Sequence, residues 1–500
     1  MDVFGGIVLG LKTAISGANL LYCFIGSLVG TLIGVLPGLG PAATVAMLMP
    51  TAFLLPPVSC LIMLAGIYYG AQYGGSTTSI LVNLPGEASS IVTALDGYQM
   101  AQKGRAGPAL TTAALASFFA GTVATIIIAF FAPPLAEFAL KFGAPEYFSL
   151  MVLGLVASVV LARGSLLKAL GMIVVGLIFG MIGTDINSGV RRFTFGINEL
   201  SDGLSFVTVS MGMFGLGEII QNLEGENNTK PIIAKIKSLM PTKEDFKRMV
   251  APILRGTFIG SCLGILPGSG ALLSSFTAYS LEKKISKHGS EFGTGAIEGV
   301  AAPEAANNAG AQTSFIPMLT MGIPTSPVMA LMIGAMIIQG LQPGPTMITD
   351  QPELFWGVIA SMWVGNLMLL VLNLPLVGIW VKLCMVPYHL LYPAILVFCG
   401  IGVFSLANTP FDVFMMAIFG IAGYLFRKLD LETAPMLLAL ILGPMMEEHL
   451  RRAMRLSRGN PAIFIQRPIS LVILVVAAIA LVIAVLPSIR KKRDEAFQED

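Results

Sequence analysis

The chain has 500 residues, of which 55% are hydrophobic and only 12% charged, with a mean hydropathy of +0.82. A soluble protein of this length carries about 25% charged residues to solvate its surface, so much of this surface must face lipid. The net charge of +2 gives no footing for nucleic acid, and five scattered cysteines with three histidines in no HExxH-type cluster argue against a metalloenzyme.

The N-terminal MDVFGGIVLGLKTAISG lacks a basic n-region and an A-x-A site, so its apolar segment is expected to stay in the mature protein. The candidate spans that follow are 17–36, 42–56, 58–80, 109–132, 147–163, 166–184, 204–222, 252–279, 312–340, 354–381, 390–426 as one or two, 433–447 and 469–487. Helix is the default, because an open strand cannot satisfy its backbone groups in lipid. Runs 106–136, 354–381 and 468–489 hold no charged residue and are each long enough for the ~20 apolar residues that cross a bilayer. Runs 13–86 and 305–349 are also charge-free, yet too long and too rich in Gly and Pro for one plain helix. The expected fold is an all-α polytopic membrane protein of about twelve spans, in a range of roughly 10–14 because broken helices blur the count. Its divisions are an N-terminal half (1–222), a polar loop (223–250), a C-terminal half (251–425), and terminal spans with a charged tail (426–500).

The two halves resemble each other. GTLIGVLPGLG (30–40) matches GSCLGILPGSG (260–270), and GGSTTSILVNLPGEASS (74–90) parallels AGAQTSFIPMLTMGIPTSP (309–327). Each half then reaches a Gly-Pro element, GRAGP (104–108) or LQPGP (341–345). Three elements in one order predict a carrier built from two related repeats. Whether the repeats are inverted, and on which side the C-terminus lies, stays open, since basic clusters flank the last span on both sides.

Proline removes a donor and glycine tolerates positive φ, so Leu36-Pro37-Gly38-Leu39-Gly40 and Leu266-Pro267-Gly268-Ser269-Gly270 should each break a helix inside the membrane. Such a break persists where protein or a wet cavity satisfies the freed backbone. The N-terminus of the next half-helix then offers N–H donors to an anion. Gly38, Gly40, Gly268 and Gly270 are the substrate-facing candidates on that reading; a tight turn between packed helices is the plainer one. Ser76, Thr77, Thr78, Ser79 and Asn83 in the first half, and Asn307, Asn308, Thr313 and Ser314 in the second, could bind a carboxylate or help dehydrate Na⁺. Alternatively, the small hydroxyl residues merely let helices approach closely. Intramembrane acids are functional by default. Glu304, among small residues and two asparagines, is the foremost candidate to bind a coupling ion, with Asn308, Thr325 and Ser326 beside it. Glu87 and Glu298 are further candidates, whereas Asp96, followed by Lys103 and Arg105, suits an interfacial loop. No catalytic pair and no GxxxxGK[ST] phosphate loop is found, so neither an enzyme nor an ATP-driven pump is expected.

The strings GVLPGLGPA (34–42), YGGSTTSILVNLPGE (73–87), DGYQMAQKGRAGPAL (96–110), GILPGSGA (264–271), EGVAAPEAANNA (298–309) and MGIPTSPVMALMIGAMIIQGLQPGP (321–345) resemble the large permease subunit of the tripartite tricarboxylate transporters, the TctA family. The resemblance implies a multi-pass secondary transporter of the bacterial inner membrane. Its implied partners are a small TctB-type membrane subunit and a periplasmic TctC-type solute-binding protein. It further implies uptake of carboxylates such as citrate, other tricarboxylates or dicarboxylates by symport. Na⁺ or H⁺ would be the coupling ion, with no other cofactor. Fold analogy adds an elevator-type mechanism, and a homo-oligomer is left open. A channel, or a structural subunit of a transport complex, is the alternative.

Overall fold

The structure is a computed structural model that describes residues 2–36, 40–83, 86–160, 165–185, 188–224, 239–266, 270–383 and 388–485. It is almost wholly helical. The first half contains α1 (Val3–Ala14), α2 (Gly17–Gly34), α3 (Pro41–Ala52), α4 (Pro57–Val82), α5 (Ile91–Met100), α6 (Ala106–Ala139), α7 (Ala144–Val160) and α8 (Leu166–Gly180). A short hairpin, β1 (Gly183–Thr184) and β2 (Arg191–Arg192), leads into α9 (Phe206–Ser210) and α10 (Gly217–Glu224). The second half opens with α11 (Lys243–Leu263), α12 (Gly270–Ile285), α13 (Glu298–Thr313), α14 (Phe315–Met321) and α15 (Pro327–Ile338). Then follow α16 (Met347–Asp350), α17 (Pro352–Asn373), α18 (Val377–Leu383), α19 (Tyr388–Ala407), α20 (Pro410–Lys428), α21 (Thr433–Leu456), α22 (Ile463–Gln466) and α23 (Pro468–Val485).

Four described helical stretches are long and apolar enough to cross a membrane: Gly17–Gly34, Ala88–Ala139, Pro352–Asn373 and Pro410–Lys428. Most of the other apolar helices are shorter, because Gly and Pro cut the hydrophobic runs into pieces. This corrects several expected boundaries. The stretch 252–279 is two helices, α11 and α12, parted at the LPGSG motif, and 312–340 is divided among α13, α14 and α15. The run 390–426, expected as one or two spans, is two helices, α19 and α20. The polar stretch 223–250 ends as helix: Thr242 accepts from the Asp245 N–H while Asp245 accepts from the Thr242 N–H, a reciprocal cap that starts α11 at Lys243. The helix α1, ahead of the first expected span, packs on α17 through Gly6 and Gly10, where any Cβ would overlap Trp356.

Two helix pairs share one seam. Gly26, Gly30 and Gly34 of α2 lie against the carbonyl oxygens of Met63, Ile67 and Ala71 of α4 so closely that a Cβ would overlap them. Gly256, Gly260 and Gly264 of α11 lie in the same way against Ala302, Ala306 and Gly310 of α13. Spacing by four puts all three glycines of a helix on one stripe, and small residues allow the close backbone approach that drives association in lipid. The likeness continues beyond the seams. The helix α4 ends at Asn83 (φ 57°) and α14 at Gly322 (φ 70°), both in the left-handed region. After each, Glu87 (φ −147°, ψ 161°) and Ser326 (φ −154°, ψ 166°) extend the chain and cap the next helical turn.

The core gathers around α4, which is buried from Ser59 to Val82, and α13, which is buried throughout. Phe315, Phe355 and Trp356 are the largest side chains within it.

Candidate functional site

A membrane helix buried on all sides need not be apolar all round, and α4 and α13 carry polar side chains to where they meet. They cross antiparallel: Gln72 donates to Asn307 (3.3 Å), and one turn on, Ser76 donates to Glu304 (2.9 Å). The neighbours α5 and α6 complete a cage. Thr93 of α5 donates to Glu304 Oε1 (2.6 Å), and Ser117 of α6 donates to Glu304 Oε2 (3.2 Å). Asn308 in turn donates to Ser117 (2.7 Å) and to the Glu304 carbonyl (3.2 Å). Glu304 is 1% exposed. Three hydroxyls therefore serve one carboxyl group, and no Lys, Arg or His pairs with it among the described residues. A buried carboxylate is strongly disfavoured without donors or a counter-charge, and here three helices, α4, α5 and α6, supply the donors.

The cage extends both ways along α13. Asn307 donates to Glu87 (2.8 Å), so the acid that follows the α4 break is joined to the same network. Further along, Thr125 donates to Gln312 (2.7 Å), and Tyr73 donates to Asn366 of α17 (2.8 Å). Beside Glu304 lies a cavity of about 20 Å³, whose polar lining is Tyr73, Ser76, Thr77, Ser117, Glu304 and Asn373. Asn373 is 6% exposed, and its Oδ1 has no hydrogen-bond partner.

The residues singled out by sequence fall into three sets. Ser76, Thr77, Glu304, Asn307 and Asn308 meet at the α4–α13 crossing. Like those of Ser76 and Thr77, the hydroxyls of Thr78, Ser79, Thr313 and Ser314 bond backbone carbonyls one turn earlier in their own helices, but these four neither reach Glu304 nor line the cavity; Thr78 also reaches the Val35 carbonyl and Ser314 the Gly264 carbonyl. Their hydroxyls face helix seams, and Ser79 additionally bonds Ser90. The third set lies at helix ends. Gly40 caps α3, Gly270 begins α12 and Asn83 closes α4. Ser326 caps α15 by accepting from Met329 N–H (3.3 Å), and Thr325 is buried with its hydroxyl unpartnered. Neither Thr325 nor Ser326 hydrogen-bonds Glu304. Gly38 and Gly268, with Pro37, Pro85 and Pro267, lie outside the described residues.

Asp96 is a correction. It is not an interfacial loop acid but a fully buried residue of α5. Its Oδ1 accepts from the backbone N–H groups of Gly293, Gly295 and Ala296 (2.8–2.9 Å), and its Oδ2 from the Tyr279 hydroxyl (2.9 Å). The lysine and arginine that suggested an interface bond elsewhere, Lys103 to the Thr294 carbonyl and Arg105 to Asp245. Glu298 likewise takes a bidentate Arg248, which also pairs with Glu291. Sequence reasoning missed Thr93, Ser117, Gln72, Tyr73 and Asn373. Nothing in the local sequence sets them apart, and only their convergence distinguishes them from ordinary packing residues.

Comparison with known proteins places this geometry. The 59%-identical "Uncharacterized 52.8 kDa protein in TAR-I ttuC' 3'region" of Agrobacterium vitis aligns over 500 residues, the whole of both chains. A second Agrobacterium vitis protein, "Uncharacterized protein in TAR-II ttuC' 3'region", is 57% identical over 241 residues, 48% of this chain and all of that one. No solved structure matches. The sequence model of the family described as "Tripartite tricarboxylate transporter TctA family" matches residues 20–438, a stretch holding both glycine seams and every residue of the Glu304 cage. This is a family of transport proteins rather than enzymes, and its members work within a tripartite transporter alongside other subunits. The chain belongs to the tripartite tricarboxylate transporter TctA family.

Proposed function

We propose that this chain is the carrier subunit of an ion-gradient-driven uptake system for carboxylates in the bacterial inner membrane. It would work with a periplasmic solute-binding protein and a small membrane subunit. The observation that carries the reading is Glu304: a single acid, buried among four helices and served by three hydroxyls, where α4 and α13 cross. An ionisable group so placed is the expected seat of ion coupling, with Na⁺ or H⁺ as the coupling ion.

We read the segments α2–α4 and α11–α13 as two copies of one unit in inverted orientation. Supporting this are the matched glycine seams, the paired left-handed caps at Asn83 and Gly322, and the antiparallel crossing of α4 and α13. The starts of α3 and α12, at Gly40 and Gly270, follow the two helix breaks and are where substrate carboxylates would meet backbone N–H groups. An elevator-type movement of one part of each unit would alternate the access.

We also read a sidedness from the same packing. Lys103, Arg105, Lys243, Lys247 and Arg248 gather where α6 and α11 begin, with Lys283, Lys284 and Lys287 at the end of α12. Lys168, Arg427 and Lys428, where α8 begins and α20 ends, add to that end, while the far end of α6 carries Lys141, Arg191, Arg192, Arg451, Arg452, Arg455, Arg458 and Arg467. The positive-inside rule puts the first end in the cytoplasm. In a cysteine-free background, Lys287→Cys should react with a membrane-impermeant maleimide only after lysis, and Phe195→Cys in intact spheroplasts. The reverse pattern refutes this orientation.

Uptake itself is tested in proteoliposomes holding the chain, its two partner proteins and a panel of labelled di- and tricarboxylates. Gradient-dependent, saturable accumulation is the expected result. Failure with every carboxylate under both Na⁺ and proton gradients would remove the proposal.

A further inference from the structure

The cavity beside Glu304 is too small for a tricarboxylate. Its volume of about 20 Å³ is enough for one water-sized species, which needs roughly 10–15 Å³. Its polar lining residues are Glu304, Ser76, Thr77, Ser117, Tyr73 and Asn373, which bring carboxylate, hydroxyl and amide oxygens, and the buried Asn373 Oδ1 has no hydrogen-bond partner. A negative wall of this kind repels an anion and suits a cation.

The hydrogen bonding narrows the choice of cation. Thr93 and Ser117 have Glu304 as their only acceptor among the described residues, so both hydroxyl hydrogens point at the carboxylate. Those donors favour the charged form of the group, and Ser76 can turn its own hydrogen to Glu304 or to the Gln72 carbonyl. The nearest other acid, Glu87, is taken up by Asn307 and by the turn it caps. A divalent ion takes 6–8 oxygens, usually from several carboxylates, and no group of three or more His, Cys, Asp or Glu side chains occurs among the described residues.

We propose that this cavity binds one sodium ion, held by Glu304, Ser76, Ser117 and Asn373. The inference rests on the reading of the chain as an ion-coupled carrier and names the ion. Asn373 gives α17 a part in the site that no motif in the sequence announces. An ion there would join α4, α6, α13 and α17 through one centre.

The test is ²²Na⁺ binding to the full-length chain in nanodiscs, with potassium or choline replacing sodium at equal ionic strength. Saturable binding that potassium competes with poorly is expected. Asn373→Ala should weaken it about tenfold, and Glu304→Gln should abolish it, with the melting temperature in choline unchanged. Absence of saturable binding to the wild-type chain overturns the site, as does undiminished binding in both variants. Should Glu304→Gln fail to fold, the wild-type and Asn373→Ala measurements decide. Carboxylate uptake driven by a proton gradient and indifferent to sodium would overturn the ion assignment and leave the carrier reading standing. Specific sodium binding without uptake of any carboxylate would do the opposite.

Discussion

The α2–α4 and α11–α13 segments have matching glycine seams and quite different chemistry. Met63, Ile67 and Ala71 stand in α4 where Ala302, Ala306 and Gly310 stand in α13, each under a seam glycine. By the same offset Glu304 corresponds to Ala65, and Asn307 and Asn308 correspond to Tyr68 and Tyr69. One segment supplies the acid and its two asparagines; the other supplies Ser76 and Gln72, which donate to Glu304 and Asn307. Like seams therefore build the frame, and unlike side chains build the site. A frame repeated twice can bring two helices together, but two identical acids at their crossing would repel each other.

That contrast can be broken at the frame first. Gly30→Leu and Gly260→Leu force a side chain into a facing backbone carbonyl, an overpacking that should cost about 3 kcal/mol or more. Both variants should lose most monodisperse protein and melt earlier; tolerance of one but not the other would mean that the two frames are not equivalent. The next effect is chemical. Glu304→Gln should lower gradient-driven uptake about 100-fold, equivalent to ~2.7 kcal/mol, while assembly with the partner subunits persists. Uptake that survives would move the ion path elsewhere. The smallest effect separates site from seam. Ser117→Ala leaves Glu304 one donor short, at about 1–3 kcal/mol, and should slow uptake roughly tenfold. Thr313→Val, whose hydroxyl meets only backbone carbonyls, should change melting slightly and uptake not at all.

Much of the frame was legible in the sequence because it is made by Gly and Pro, whose backbone consequences are local. The repeated LPGxG strings mark where α2 gives way to α3 and α11 to α12, and Glu304 with its two asparagines is conspicuous among small residues. The rest depends on how helices meet. Ser117 in α6 and Ser158 in α7 look alike in sequence, yet Ser117 reaches Glu304 and Ser158 bonds the Leu155 carbonyl of its own helix. Asp96 was misjudged because its partners are backbone N–H groups almost 200 residues away, which no local pattern encodes. Thr78 and Thr313, chosen for their hydroxyls, turn to their own helix backbones, the habit of threonine within a membrane helix.

The seams carry a kinematic consequence. Each glycine stripe meets carbonyls at intervals of four residues, so a slide of one or two residues would drive side chains into backbone. Within each pair, α2 with α4 and α11 with α13, the helices are keyed like teeth and can travel only together. Asp96 adds α5 to the second pair by clasping the turn ahead of α13. Thr93 and Glu304 are joined on that side, and the Ser76–Glu304 and Gln72–Asn307 contacts tie the two pairs to each other.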